Sequence, residues 1–304
     1  MVRHNHGYRL ATSPHAGSDN LYGVNLLGGS IEYDVDLSQS GCSCNAAFYL
    51  VRMPAKDENG NPSGGHDGSY YCDANNVNGQ WCPEFDIMEA NTYAFQTTPH
   101  RCDAPNSKGH YSNCDRGGQC YQKAWHKMAG KYGPGDQYPI NTLKEFHAKI
   151  SFTTEAHFTV ELSQNGQTFS MGSDDSCTWY LNQIKHDLYS NMALAISNWG
   201  ESWSTMSWLD QETGCQGECR NNPTFTVKNI KYTSGSGPSP GPSPDQFEFG
   251  NECATLTADD CSLVSCQEHQ CKWSWPKYDP AKWSSKDAKC RCQRAKAEET
   301  VFIQ

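Results

Sequence analysis

The chain has 304 residues, with 24 Lys and Arg against 34 Asp and Glu and a net charge of −10. That acidity argues against a nucleic-acid partner, which would need basic contacts to phosphate, and no apolar run reaches the ~20 residues that span a bilayer. Its 16 cysteines, an even number in a Gly-, Asn- and aromatic-rich sequence, fit a secreted, extracellular protein from an oxidising compartment.

The first six residues, Met1-Val2-Arg3-His4-Asn5-His6, are polar and carry no hydrophobic segment of the signal-peptide kind. A disulfide-rich chain that starts this way is expected to be truncated or processed at its N-terminus. Residues 30–37 alternate strictly and predict a half-buried strand. Cys42 and Cys44 precede a mostly apolar strand over 46–53, and 56–69 is a Gly-, Asn- and Pro-rich loop.

Next comes Glu84-Phe85-Asp86-Ile87-Met88-Glu89-Ala90-Asn91, three carboxylates in six residues interleaved with apolar side chains. On a regular strand Glu84 and Asp86 point to one face and Glu89 to the other. One extra residue, a bulge, would bring Glu89 back beside them, and bulges are common next to active sites. Like charges gathered in a cleft push pKa values apart, so one carboxyl stays protonated as an acid while another stays ionised as a nucleophile. That is the arrangement of a retaining glycosidase, whose carboxyls stand roughly 5 Å apart. A solvated strand face or a calcium site would use the same residues, and the motif alone leaves these readings about evenly balanced.

Beyond this strand, 100–132 is loop-rich with Cys102, Cys114 and Cys120, and 143–153 alternates through Phe146, Ala148, Ile150 and Phe152. Asn165-Gly166 separates two further β-patterned runs, the strongest short hairpin signal. A weak helical pattern covers 178–186, a buried strand is expected over 191–199, and the last strand over 224–232. Many short strands and little helical periodicity predict an all-β sandwich for 1–233. Residues 234–245 read Ser-Gly-Ser-Gly-Pro-Ser-Pro-Gly-Pro-Ser-Pro-Asp, a linker. It divides the cysteines into 10 before and 6 after, as expected if each part closes its own bridges. The module over 246–304 has too little apolar sequence for a large core, so disulfides would be its main staple. Its Trp273, Trp275, Tyr278 and Trp283 suit either a carbohydrate-binding surface or a small packed knot. A zinc site from Cys266, His269 and Cys271 is disfavoured by the extracellular setting.

Residues 84–91, with Pro99-His100 a short way on, resemble the Glu-x-Asp-x-x-Glu signature of glycoside hydrolase family seven, the cellobiohydrolase and endoglucanase family of retaining cellulases. The likeness runs from about Tyr8 to Tyr232. It includes Asn45 to Met53, the step Tyr71-Cys72-Asp73, the turn Lys131-Tyr132-Gly133-Pro134-Gly135, and Trp199 to Asp210 with its Trp208-Leu209-Asp210; it leaves the tail uncovered. The resemblance implies a concanavalin-like β-sandwich (a jelly roll) with long loops, preceded in the family by further strands. It implies Glu84 as nucleophile, Asp86 as the residue that tunes it, and Glu89 as acid/base. It places His100 near the leaving-group side. Trp199 and Trp208 become glucose-stacking platforms either side of the cleaved bond, since sugar rings offer apolar faces to flat aromatics; core packing is the plainer reading of such tryptophans.

The implied substrate is cellulose or another β-glucan, hydrolysed by a monomer with no cofactor and no metal. The spans 100–132 and 209–219 are shorter than those of processive relatives, so an open cleft and internal cleavage are expected. A chain-end cellobiohydrolase and a non-catalytic glucan binder are the alternatives. Mixed-linkage or β-1,3 glucan is a further one, although related glucanases of that kind carry a shorter Glu-x-Asp-x-Glu spacing.

Overall fold

The computed structural model describes residues 1–10, 21–64, 70–189, 192–220 and 222–235, with the backbone of 246–248, 269–272 and 291–294. In chain order its strands are β1 (Val2–Arg3), β2 (His6–Arg9), β3 (Gly23–Val24), β4 (Ser30–Asp36), β5 (Cys44–Val51), β6 (Glu84–Ala90), β7 (Phe95–His100), β8 (Gln122–Lys123), β9 (Tyr132–Gly133), β10 (Ile140–Asn141), β11 (Phe146–Phe152), β12 (Phe158–Gln164), β13 (Gln167–Gly172), β14 (Met192–Gly200) and β15 (Thr224–Thr233). Helices are α1 (Ala124–Lys127), α2 (Thr178–Tyr189) and α3 (Trp203–Asp210).

Two antiparallel sheets form a β-sandwich. One runs β1-β15-β4-β11-β12-β13; the other runs β2-β14-β5-β6-β7-β8, with β3 beside β14. Alternation dictates which side chains meet between them. Tyr33 of β4 packs edge-on against Phe48 of β5, with ring centroids 4.7 Å apart. Phe85 of β6 meets Phe152 and Phe158 of the opposite sheet at 5.0 and 5.2 Å. Asn165 and Gly166 both take positive φ (51° and 76°) between β12 and β13, the primed turn their sequence predicts.

All ten cysteines before the linker are paired: Cys42–Cys215, Cys44–Cys219, Cys72–Cys82, Cys102–Cys114 and Cys120–Cys177. The first part thus closes its own bridges, as its even count predicts. The tail's cysteines, its aromatic residues and the zinc alternative lie outside the residues whose side chains are described. Its backbone pairs Gln246–Glu248 with β15 and His269–Lys272 with Arg291–Arg294.

The structure adds α3, in a stretch where the sequence analysis predicts no helix. Only eight residues long, it is nucleated by a local cap: Ser202 N donates to the Thr205 hydroxyl at 3.3 Å. Its end is fixed by burial of Asp210. Asp210 Oδ2 accepts from Ser43 N (2.6 Å) and Oδ1 from Asn91 Nδ2 (2.7 Å).

Candidate active site

Strand β6 is the middle of the second sheet, and its pairing departs from regularity at one place. Phe48 and Tyr49, consecutive on β5, face Met88 and Asp86, which are two apart on β6. On the other side Thr98 and Gln96 of β7 face Asp86 and Glu89. Both registers slip by one residue, so β6 carries a bulge at Ile87–Met88. Burial shows the consequence. Phe85, Ile87, Met88 and Ala90 all belong to the apolar core, so two successive side chains, Ile87 and Met88, turn inward. Glu84, Asp86 and Glu89 are thereby left on the opposite face, where all three line one cleft.

That cleft, about 1220 Å³, crosses the sheet. Its floor takes residues from every strand of the row, from Gly7 and Arg9 on β2 through Ser197, Ala47, Tyr49, the acid trio, Gln96, Thr98 and His100 to Lys123 on β8. Six strands at about 4.8 Å spacing give a trough of roughly 24 Å. The small side chains Gly7, Ser197 and Ala47 keep the floor low. One wall is formed by loops near the Glu84 end of β6, with Tyr71, Asp73, Asn75, Asn78 and Arg116. The other is formed by α3 and its exit, with Trp208, Gln211 and Glu212.

Each acid has its own partner. Glu84 Oε2 accepts the Ala74 N–H at 3.0 Å. Asp86 Oδ2 lies 3.0 Å from His100 Nε2, and His100 Nδ1 lies 2.9 Å from the Asp115 carbonyl. A carbonyl can only accept, so Nδ1 donates to it, and a proton on Nε2 as well makes His100 an imidazolium that donates in both directions. Glu89 Oε1 accepts from Asn45 Nδ2 at 3.0 Å. Gly118 N donates to the same Asp115 carbonyl at 3.1 Å, and Gly118, with φ of 64°, lies so close to β7 that a Cβ there would fall 2.5 Å from Thr98 Cγ2.

Burial raises the pKa of all three carboxyls. For Glu84 the charges of Asp86 and Asp73 add to burial, against His100 and the Ala74 N–H. For Glu89 the charge of Asp86 adds to burial, against His100 and Asn45. For Asp86 burial outweighs even the bond to His100. At His100 burial opposes the cation, yet the hydrogen bond and charge of Asp86, with Glu84 and the Asp115 carbonyl, lift its pKa to about 10. At neutral pH the site therefore holds an imidazolium fixed among carboxyls whose charged forms burial disfavours. Glu84, Asp86 and His100 each offer an atom within 4.8 Å of the others, close enough for a metal ion. Both nitrogens of His100 are already engaged by Asp86 and Asp115, so the cluster is arranged as an ion pair.

Trp199 and Trp208 are 41% and 37% exposed, which sets them apart from core aromatics. Both line the cleft, and they stack on each other at 6.2 Å with planes 28° apart. Trp199 pairs with Asn45, beyond the Ala47–Glu89 row. The two rings therefore form one platform at the Glu89 end of β6. His100 sits instead across from Glu84. Sequence reasoning does not single out Asn45, Asp73, Gln96 or the Asp115 carbonyl. Of these, Asn45 carries a usable signal, a lone amide in the apolar run Ala46-Ala47-Phe48 and on the face of Ala47 and Tyr49.

A family model described as Glycosyl hydrolase family 7 matches residues 15–80. Endoglucanase EG-1 of Hypocrea jecorina is 30% identical over 249 residues, 69% of this chain and 51% of that protein. Endoglucanase 1 of Humicola insolens is 28% identical over 250 residues, 64% of this chain and 61% of that protein. The chain thus spans about half the length of the first of these relatives. Among solved structures, the native endocellulase EGI of Humicola insolens superposes with a TM-score of 0.57 at 24% identity, covering 70% of this chain and 69% of that one. A family 7 cellobiohydrolase from Daphnia pulex gives 0.54 at 20%, over 70% of this chain and 71% of that one. These two structures speak for the fold.

Proposed function

The chain belongs to glycosyl hydrolase family 7, and from that premise we propose that it is a secreted, retaining endo-β-1,4-glucanase that works as a monomer on cellulose or a related β-glucan. The observation that carries the reading is the bulge at Ile87–Met88, which puts three buried carboxyls on the floor of an elongated cleft. Glu84 attacks the anomeric carbon as Glu89 gives its proton to the glycosidic oxygen, and the leaving sugar departs as an alcohol. The roles divide by environment. Glu84 shares the 4.8 Å cluster with the His100 cation and accepts a backbone N–H, both of which favour its ionised form. Glu89 stands outside that cluster, with burial and the charge of Asp86 raising its pKa against His100 and the Asn45 donor, and it is assigned the proton by its place in the matched signature. Water then adds to the glycosyl-enzyme, giving its proton to Glu89 and releasing Glu84.

Trp199 and Trp208 stack a glucose ring, and His100 acts through Asp86. Internal cleavage is supported by the short loops at 100–132 and 209–219 and by relatives named endoglucanases. Five disulfides in the catalytic part support secretion. For the module over 246–304 we propose glucan binding, a tether that raises the enzyme's concentration on the solid.

The test is reducing-sugar release from soluble carboxymethyl cellulose, with Glu84→Gln beside the wild type. Activity in the wild type and its loss in the variant are expected. Ordinary activity in Glu84→Gln would remove the assigned nucleophile. Cleavage of cello-oligosaccharides without attack on the substituted polymer would favour the chain-end alternative.

A further inference from the structure

Two buried amides bracket Glu89, one from each neighbouring strand. On β5, Asn45 donates to Glu89 Oε1. On β7, Gln96 lies directly across from Glu89, on the same cleft face and 7% exposed. Directly opposed residues of an antiparallel pair have neighbouring side chains. Gln96 Nε2 gives one of its two hydrogens to Thr98 Oγ1 at 2.8 Å, while its Oε1 is buried without a hydrogen-bond partner among the described residues. A buried acceptor left unmet costs free energy, so a donor is wanted beside it. The group opposite is the carboxyl that must carry a proton.

We infer that Gln96 is a positioning residue for that proton, its Oε1 accepting the Glu89 O–H in the resting enzyme. The inference rests on the acid/base role of Glu89 proposed above. An acceptor facing Glu89 favours the protonated form and repels the carboxylate. It would keep the acid loaded for the first step. In the second step it would make the Glu89 carboxylate a stronger base toward water. Other groups act on the same site: Glu84 and Asp86 on β6, His100 on β7, Tyr49 on β5, Arg9 on β2, Lys123 on β8, Tyr71, Asp73, Arg116 and Tyr121 from the loops, and Glu212 after α3. None of these is changed by substituting Gln96, so a shift in the pH profile isolates its contribution.

The experiment compares wild type and Gln96→Met, which keeps length and loses the acceptor. The pH dependence of kcat/KM is measured on an unmodified cello-oligosaccharide and on a dinitrophenyl cello-oligosaccharide, whose leaving group departs without protonation. On the natural substrate the basic limb should move down by about one pH unit, the size expected for one lost hydrogen bond. On the activated substrate it should stay within a few tenths of a unit. An unmoved limb, a limb moved upward (which would mean the amide donates to Glu89), or equal losses on both substrates would overturn the inference. If Gln96→Met does not fold, Gln96→Glu replaces it; the added charge should move the basic limb up, and no movement would overturn the inference. Wild type that cleaves neither substrate would sink this inference and the proposed function together. A wild type that depends on Glu84 but shares its profile with Gln96→Met would sink this inference alone.

Discussion

Among the described residues, His100 is the side chain paired directly with Asp86, and replacing it tests the electrostatic account of the cleft. Consider His100→Gln, which keeps a polar side chain and removes the charge. Glu84, Asp86 and His100 offer atoms within 4.8 Å of one another, and His100 acts to lower the pKa of both Glu84 and Glu89. Two unit charges no more than 4.8 Å apart interact by at least about 0.9 kcal/mol in water and about 3.5 kcal/mol at an effective dielectric of ~20. Loss of the cation should therefore raise the Glu84 pKa. As the proposed nucleophile, Glu84 must be ionised, so the acid limb of kcat/KM, read from reducing-sugar release across pH, should move up, by about half a unit or more at ~1.4 kcal/mol per pH unit. Stability follows the same group. The folded pKa of His100 is about 10 against 6.5, raised, so its contribution is full below pH 6.5 and is lost as pH rises through 10. The variant should therefore be less stable than wild type at neutral and acid pH, with the difference closing toward pH 10 in urea titrations. An acid limb that stays put or moves down in a variant with a native near-UV spectrum would refute the reasoning.

Asp210→Ala leaves the buried Ser43 N and one hydrogen of Asn91 Nδ2 without their acceptor. At about 1–3 kcal/mol for each of the two unmet donors, urea titration with disulfides intact should show a loss of roughly 2 to 6 kcal/mol, and Asp210→Asn, which keeps one acceptor, about half of that. Trp208→Ala should raise KM on long oligosaccharides about fivefold, for ~1 kcal/mol of stacking, with kcat little changed. Because Trp199 and Trp208 stack on each other, the double alanine variant should fall short of the product of the two single effects, which steady-state kinetics on cellohexaose would measure.

The sandwich is legible from the sequence because alternation records the layers. Residues 30–37 read as a strand with one face inward, and β4 shows that burial residue by residue. The bulge is legible for a different reason: three acids in six residues cannot share a face without an extra residue, so the chemistry of the motif forces the backbone irregularity. What surrounds the acids is set by contacts far apart in the chain, and no local pattern encodes them. Glu89 meets Asn45 from 44 residues away. His100 is held by a carbonyl 15 residues on, beyond a loop that Cys102–Cys114 closes. Asp210 binds Ser43 and Asn91 across 167 and 119 residues. The two tryptophans show the limit most plainly. The resemblance implies two separate platforms either side of the cleaved bond, but α3 folds Trp208 back onto Trp199 so that the two rings stack. A helix so short draws its stability from the buried Asp210 and the paired Cys42–Cys215 and Cys44–Cys219 beside it more than from its own propensity. Its position, and with it the stacked Trp199–Trp208 pair at the Glu89 end, depends on the tertiary fold that the cysteine pairing fixes.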